Sequence, residues 1–542
     1  MKKLHLFILF VISNTLQAQY TDCDTIRGTL QPNRSSYDVK KYVLDIAILP
    51  DKKYLQGSNS ITFEVVGSNF NAMQIDLFSN LHLDSIIYKK QKLNYTRHCN
   101  AAFITFPTVL RYGTVDKIQV YYHGNPTTAK NPPWDGGFTW GKDSNGKPWI
   151  NVTCEEMGAS SWYPCKDHLS DEADTVIMKY TVPTGLVAVG NGNLVSTQQQ
   201  NQQTTYTYTT TYPINNYNTT LYIGDYVPII DTFQGIESLF NLHYYVLRAN
   251  VEKAKIHFQQ VKPMLKAYEK YFGAYPFPKD GYGLVESTAA GMEHQSAISY
   301  GNNYQKGYFG DDYSGIGLSF DFILCHETGH EWWGNSVSMQ DIADMWIHEG
   351  FCTYAEKCYV EEVYGKEKAI QYMNHKKTLV HNKENIIGDY GVNDKGASLD
   401  MYTKGALCIW TIENKINNTT KWKQFLKDIY ANFKYKNTTT KEIITYFNYY
   451  FHEDFSPIFE AYLNHPQPPC LEYRKKGKNI EMRWNTPVKN FKMPIVYTHP
   501  KGEIMRKDIT TDFQVITKRD ALKDIKQINT RLSYFLIQET PY

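Results

Sequence analysis

The sequence predicts a multi-domain α+β protein in three parts, β then mostly helical then β, and three observations carry that expectation. From about Ser35 to Asp231, apolar and polar residues alternate, as over 42–48 and 60–65, which is the period of half-buried strands. Over 251–271, and again over 351–364, 366–383 and 404–416, the apolar residues recur at helical spacing. After Pro466-Gln467-Pro468-Pro469, a stiff run that no helix can cross, alternation returns at 471–474, 479–484 and 493–497. With 542 residues, 42% of them apolar, the chain can bury several cores.

In chain order, the first eighteen residues read as an export signal. Lys2 and Lys3 give a positive start, 4–12 an apolar run too short to span a bilayer, and Ala18 a small residue for cleavage. A periplasmic or extracellular protein beginning at Gln19 is expected, with no transmembrane segment. The charge balance, 57 basic against 55 acidic side chains, lacks the excess of a nucleic-acid binder. Nine scattered cysteines are an odd number, neither a disulfide framework nor spaced as a metal site, although one or two bridges could form in an oxidising compartment.

Residues 19–235 are expected to form the N-terminal β domain, with the glutamine-rich run 198–203 as a solvated hairpin loop. Within it lie Cys154-Glu155-Glu156 and Trp162-Tyr163-Pro164-Cys165-Lys166-Asp167, on residues alone a structured loop with surface carboxylates. The pattern turns helical after Leu239, so 236–465 are assigned to a catalytic domain and 466–542 to a small C-terminal β domain. At Ala290-Gly291-Met292-Glu293-His294, Gly291 would let an extended peptide approach a strand edge, and Glu293 would meet its amine.

The chemistry centres on Cys325-His326-Glu327-Thr328-Gly329-His330-Glu331-Trp332-Trp333-Gly334-Asn335. A four-residue step on a helix stacks the imidazoles of His326 and His330 on one face, where two nitrogens can converge on one zinc ion. Glu327, beside them, is placed to take a proton from water. Glu349, in Asp344-Met345-Trp346-Ile347-His348-Glu349-Gly350, is the candidate third ligand on a second, antiparallel helix. Two histidines and a carboxylate leave a coordination position open, the pattern of a catalytic rather than a structural zinc.

His326-Glu327-x-x-His330, eighteen intervening residues to Glu349, the Gly334-Asn335 exit and the continuation from Asp344 to Tyr354 together resemble the M1 zinc aminopeptidases, of the gluzincin group. The resemblance implies an N-terminal β-sandwich or saddle domain, a thermolysin-like catalytic domain and a small C-terminal β-sandwich, without the large helical C-terminal domain of longer members. It implies one Zn2+, peptide substrates with a free N-terminus, and Glu327 as general base. It implies that Met401-Tyr402-Thr403-Lys404-Gly405-Ala406 supplies, in Tyr402, the donor to the oxyanion. Glu155, ten residues before Cys165, and Gly291, Met292 and Glu293 then line the site of the substrate's amine. Ala290 and His294 depart from the family's usual Gly and Asn. A partner accepting from the zinc histidines is expected, with Asp344 as the candidate. The rival readings are an endopeptidase on the same zinc site and a catalytically silent, zinc-stabilised peptide-binding protein of the envelope.

Overall fold

The computed structural model describes residues 20–541 apart from 134, 394–397, 477–478, 500, 517–521 and 523; the expected export segment lies outside the described residues. The N-terminal part is β throughout. Its largest sheet has eight strands, with Tyr37–Leu49 paired parallel to Thr175–Pro183 and antiparallel to Tyr54–Val65. In Tyr37–Leu49 burial alternates along the strand, so one face packs on a core and the other meets solvent. Sheets of four and three strands close over that core. A disulfide joins Cys23 to Cys99, tying the N-terminal segment to this domain.

Two local expectations are corrected here. The hairpin expected at the glutamine run is present, but its loop is shorter than 198–203: Asn193–Gln200 and Gln203–Thr209 are strands, joined by Asn201 and Gln202 alone at φ of 51° and 60°. That two-residue turn matches the twist of the strands it joins, which lets them continue to its edge. The division at 235/236 also cuts a hairpin. Strand β1 (Tyr226–Gln234) pairs along its whole length with β2 (Leu239–Leu247), and both belong to the sheet of the central part.

That sheet continues through β3 (Tyr282–Glu286), β4 (Gly291–Met292) and β5 (Ile298–Tyr300), in the order β1-β2-β3-β5-β4. Strand β4 pairs with β5 alone and forms the sheet's last edge. Helix α1 (Phe322–Gly329) packs against β4 and β5, α2 (Trp346–Tyr364) packs on α1, and α3 (Lys366–Lys376) and α4 (Asp400–Ile416) pack on α2. Helix α1 begins where Asp321, as N-cap, accepts from Leu324 N at 3.1 Å. Helices α2 and α4 cross at two glycines: a Cβ on Gly350 would lie 3.3 Å from the Gly405 backbone, and one on Gly405 would lie 3.2 Å from Gly350 Cα. This close crossing brings the first turns of α2 and α4, carrying Glu349 and Tyr402, to one place. Lys404 donates to the carbonyls of His465 and Pro466 at 2.6 and 2.7 Å, fixing the stiff linker to α4.

After the linker, Cys470–Lys476 and Asn479–Asn485 anchor a four-stranded sheet. Met493–Thr498 pairs with Ile504–Ile509, and Trp484 is buried between the layers as a small β-sandwich. No helix among the described residues is long and apolar enough to cross a membrane.

Candidate metal and peptide site

Helix α1 delivers His326 and, at its C-cap, His330, and the first turn of α2 delivers Glu349. The two Nε2 atoms lie 3.2 Å apart, and Glu349 Oε2 lies 3.1 Å from that of His326 and 3.5 Å from that of His330. Ligand atoms held tetrahedrally about 2.0–2.1 Å from a single zinc are separated by about 3.3 Å. Three convergent atoms of the types zinc takes, at those separations, fit the ion.

The opposite ring nitrogens are committed. His326 Nδ1 is 2.6 Å from Glu356 Oε1, and His330 Nδ1 is 3.0 Å from the carbonyl of Trp333. Each histidine thereby keeps its proton on Nδ1 and offers Nε2 to the metal. Glu356 is seven residues beyond Glu349, two turns along the same face of α2. It also accepts from the Tyr372 hydroxyl and faces the Lys376 ammonium at 3.4 Å. Asp344, the acceptor expected from the sequence, is elsewhere: it takes hydrogen bonds from Tyr390 and Thr440 at 2.7 and 2.5 Å. It stands two residues before α2 begins, and its partner Thr440 is the first residue of the helix Thr440–Phe451.

Glu327 is buried beside these ligands, within 4.8 Å of both Glu293 and His330, counted between their ligand atoms. Burial pushes its carboxyl up to about 8 against the pull of the His326 and His330 charges. The reason for Gly291 is now physical: a Cβ there would stand 2.2 Å from Glu327 Oε1. Strand β4 can lie against the carboxylate only with hydrogen at that position. Gly291→Ala is therefore expected to keep zinc and lose about a hundredfold in kcat, the scale of a displacement near 1 Å. Metal analysis beside kinetics checks it, and an unchanged kcat would mean that Glu327 can move at no cost.

Glu293 and Glu155 come together from different domains. With His348 they form a cluster whose ligand atoms lie within 4.8 Å of one another. Glu155 Oε1 is buried and has no hydrogen-bond partner among the described residues. Burial and then the Glu293 charge raise the Glu155 carboxyl well above its ordinary range. A buried carboxyl group in that state, beside a second carboxylate, is completed by a cation. The loop carrying Glu155 is fastened by Asp167, which accepts from Ala159 N at 3.2 Å and from Ser160 N at 3.1 Å. Gly158, at φ 92°, leaves that carboxylate its space, since a Cβ there would be 2.2 Å from Asp167 Oδ2.

Three positioning residues escaped the sequence reading. Tyr217 donates to Glu293 Oε1 at 2.9 Å, and His348 Nδ1 stands 3.5 Å behind that hydroxyl. Met339 N donates to His348 Nε2 at 2.9 Å, so the remaining imidazole proton sits on Nδ1, toward Tyr217. Asn335 donates to the Glu293 carbonyl at 2.7 Å and to Glu331 Oε1 at 2.9 Å, which locks the Gly-Asn exit to the segment carrying Glu293. Only Asn335 had a sequence signal, its place at the end of the zinc motif. His294 binds the Tyr222 hydroxyl at 2.5 Å through Nδ1 and is fully buried, so this departure from the family pattern sits in the packing behind the strand.

Tyr402 stacks obliquely on His326, with ring centroids 5.7 Å apart. Burial and the Glu349 charge raise its hydroxyl well above the phenol range, which keeps it an O–H donor. It lines, with the zinc residues, Glu155, Glu293, Gly291 and Met292, a cavity of about 490 Å³.

Residues 256–462 match the model of the Peptidase family M1 domain. Leucyl aminopeptidase of Saccharolobus solfataricus is 22% identical over 347 residues, 61% of this chain and 43% of the relative. Aminopeptidase Ey of Gallus gallus is 33% identical over 102 residues, 18% of this chain and 10% of its own. The chain thus spans less than half the length of the curated relatives it matches. Among solved structures, a mutant M1 zinc metallopeptidase of Deinococcus radiodurans bound to a Tyr-Ser-Ala substrate superposes with a TM-score of 0.69 at 20% identity, covering 80% of this chain and 95% of that one. The same metallopeptidase without that peptide gives 0.68.

Proposed function

From a chain with the fold of the M1 zinc metallopeptidases, we infer a zinc-dependent aminopeptidase that hydrolyses the first peptide bond of peptides with a free N-terminus. The observation that carries this reading is the adjacency, in one cavity, of a three-ligand zinc site, an added buried carboxylate in Glu327, and a second acidic pair, Glu293 and Glu155, with one oxygen unpartnered among the described residues.

His326, His330 and Glu349 would hold the ion. When bound, zinc supplies Lewis acidity toward a carbonyl and toward water, and its charge draws Glu327 back toward the carboxylate form. The chain's own groups do the rest. Glu293 and Glu155 accept hydrogen bonds from the substrate ammonium and set the scissile carbonyl one residue away from it. The outer edge of β4 offers backbone groups to the extended peptide. Glu327 takes the proton of the attacking water and returns it to the leaving amine. Tyr402 donates to the carbonyl oxygen as charge develops there, a contribution of about 3 kcal/mol for one such donor. The amine pair argues against an endopeptidase: an internal peptide brings no cation, and two desolvated carboxylates would stay uncompensated. A silent binding protein would need neither Glu327 nor Tyr402.

The test is a panel of aminoacyl-coumarins with N-acetylated copies, each with chelator and with restored zinc. Release from free-amine substrates alone, abolished by chelator, is the expected result. Cleavage of blocked copies would transfer the reading to an endopeptidase, and zinc binding without cleavage to the binding protein.

We also propose export. The Lys2-Lys3 start, the apolar 4–12 and Ala18 support it, and the Cys23–Cys99 bridge suits an oxidising compartment. A mature protein that still begins at Met1 would overturn it.

A further inference from the structure

The cavity that holds the zinc residues is acidic except at one place. Glu155, Glu156, Glu293, Glu327 and Glu349 all line it, whereas Lys376, at the end of α3, is the one lysine or arginine among its described lining residues. The lysine is only 2% exposed. Its ammonium stands over the rings of Tyr313, Phe322 and Tyr372, at 4.4, 4.6 and 5.0 Å from their centres. Its ion partner is Glu356 Oε2 at 3.4 Å, beyond the roughly 2.7–2.9 Å of a charge-assisted hydrogen bond. Glu356 is already engaged by His326 and Tyr372. Burial draws the Lys376 ammonium below the ordinary lysine range, a cost that a second carboxylate would offset.

Its place along the cleft follows from contacts. The chain runs from Glu293, the amine end, back through Met292 to Gly291, which lies on Glu327. Beyond Glu327, Tyr308 feels that carboxylate's charge and packs 5.8 Å from Tyr313, which packs 4.9 Å from Phe322. Phe322 stacks on His326, one turn before it on α1, and Lys376 covers both Phe322 and Tyr313. These rings and the lysine lead away from the amine site, on the side where the leaving amine's residue must lie. Resting on the aminopeptidase reading, we propose that Lys376 reads a carboxylate on the residue after the scissile bond, supplied by an acidic side chain there or by the C-terminus of a dipeptide.

The experiment compares kcat/KM for four peptides sharing the N-terminal residue X best accepted as a coumaride: X-Ala, X-Ala-amide, X-Glu-amide and X-Gln-amide. The wild-type protein should favour a carboxylate over its neutral partner by about tenfold or more, the scale of one hydrogen-bonded charge. X-Ala over X-Ala-amide identifies the C-terminus as its source, and X-Glu-amide over X-Gln-amide the side chain. In Lys376→Met the favoured ratio should fall to about one with zinc still one per chain, and Lys376→Arg should retain it. Wild-type cleavage with both ratios near one overturns the proposal while the aminopeptidase reading stands. So does a Lys376→Met protein that loses zinc or slows on all four peptides equally with the ratio kept, which is the behaviour of a lysine that serves Glu356 alone. Should Lys376→Met not fold, the wild-type and Lys376→Arg ratios decide. Absence of any cleavage, coumarides included, overturns the parent reading and this one with it.

Discussion

Glu327→Gln is expected to keep one zinc per chain and to lose between about a hundredfold and ten-thousandfold in kcat, the range that a positioned general base contributes. The amide is nearly isosteric, so β4 can still lie against it at Gly291. None of the three metal ligands is touched. What disappears is the capacity to accept a proton from water and return it to the leaving amine. KM should therefore change little, since the proposed function assigns the ammonium to Glu293 and Glu155. Metal analysis, kcat and KM on one free-amine substrate check the three claims together. A variant with near-normal kcat would remove Glu327 from the chemistry, and one without zinc would make it part of the metal's support.

Much of this site was legible because its chemistry is carried by short-range spacing. His326, Glu327 and His330 lie within five residues at the end of one helix, and that spacing, together with Glu349 and the exit over 332–335, points to two ligands and a base. The fold's three parts were legible for the same reason: strand and helix periods are local, and the Pro466 linker interrupts both. What could not be read depends on tertiary geometry. The hairpin at 226–247 alternates like the strands before it, so nothing in its pattern told which sheet it joins. Tyr217 is one of 43 tyrosines and becomes special only because Glu293 lies 2.9 Å away, from a segment 76 residues later. Asp344 is the one acceptor the sequence reading names for the histidines, and Glu356 carries no motif signal of its own. The winding of α2 decides otherwise, placing Glu349 and Glu356 on one face and leaving Asp344 before the helix begins. Lys376 carried no motif at all.

Removing the amine site should separate binding from chemistry. Glu293→Ala is expected to lower kcat/KM on free-amine substrates by about thirtyfold to a few thousandfold, the cost of about 2–5 kcal/mol for truncating one partner of a buried charge pair. Most of it should appear in KM, and the preference over N-acetylated copies should shrink by the same factor. The loss will not be total, for a reason visible in the pair itself. Glu155 is held toward its protonated form first by burial and then by the Glu293 carboxylate. With Glu293 gone, that second cause vanishes while burial remains, so the Glu155 carboxyl falls part of the way back and ionises more readily when it meets the ammonium. Glu155→Gln should likewise leave Glu293, still oriented by Tyr217, to bind alone. The double variant, with no charge left, should lose more than the product of the two single losses, the mark of groups that substitute for one another. Simple multiplication would show that the two carboxylates act independently. An unchanged ratio of free to acetylated cleavage in Glu293→Ala would remove that residue from amine recognition.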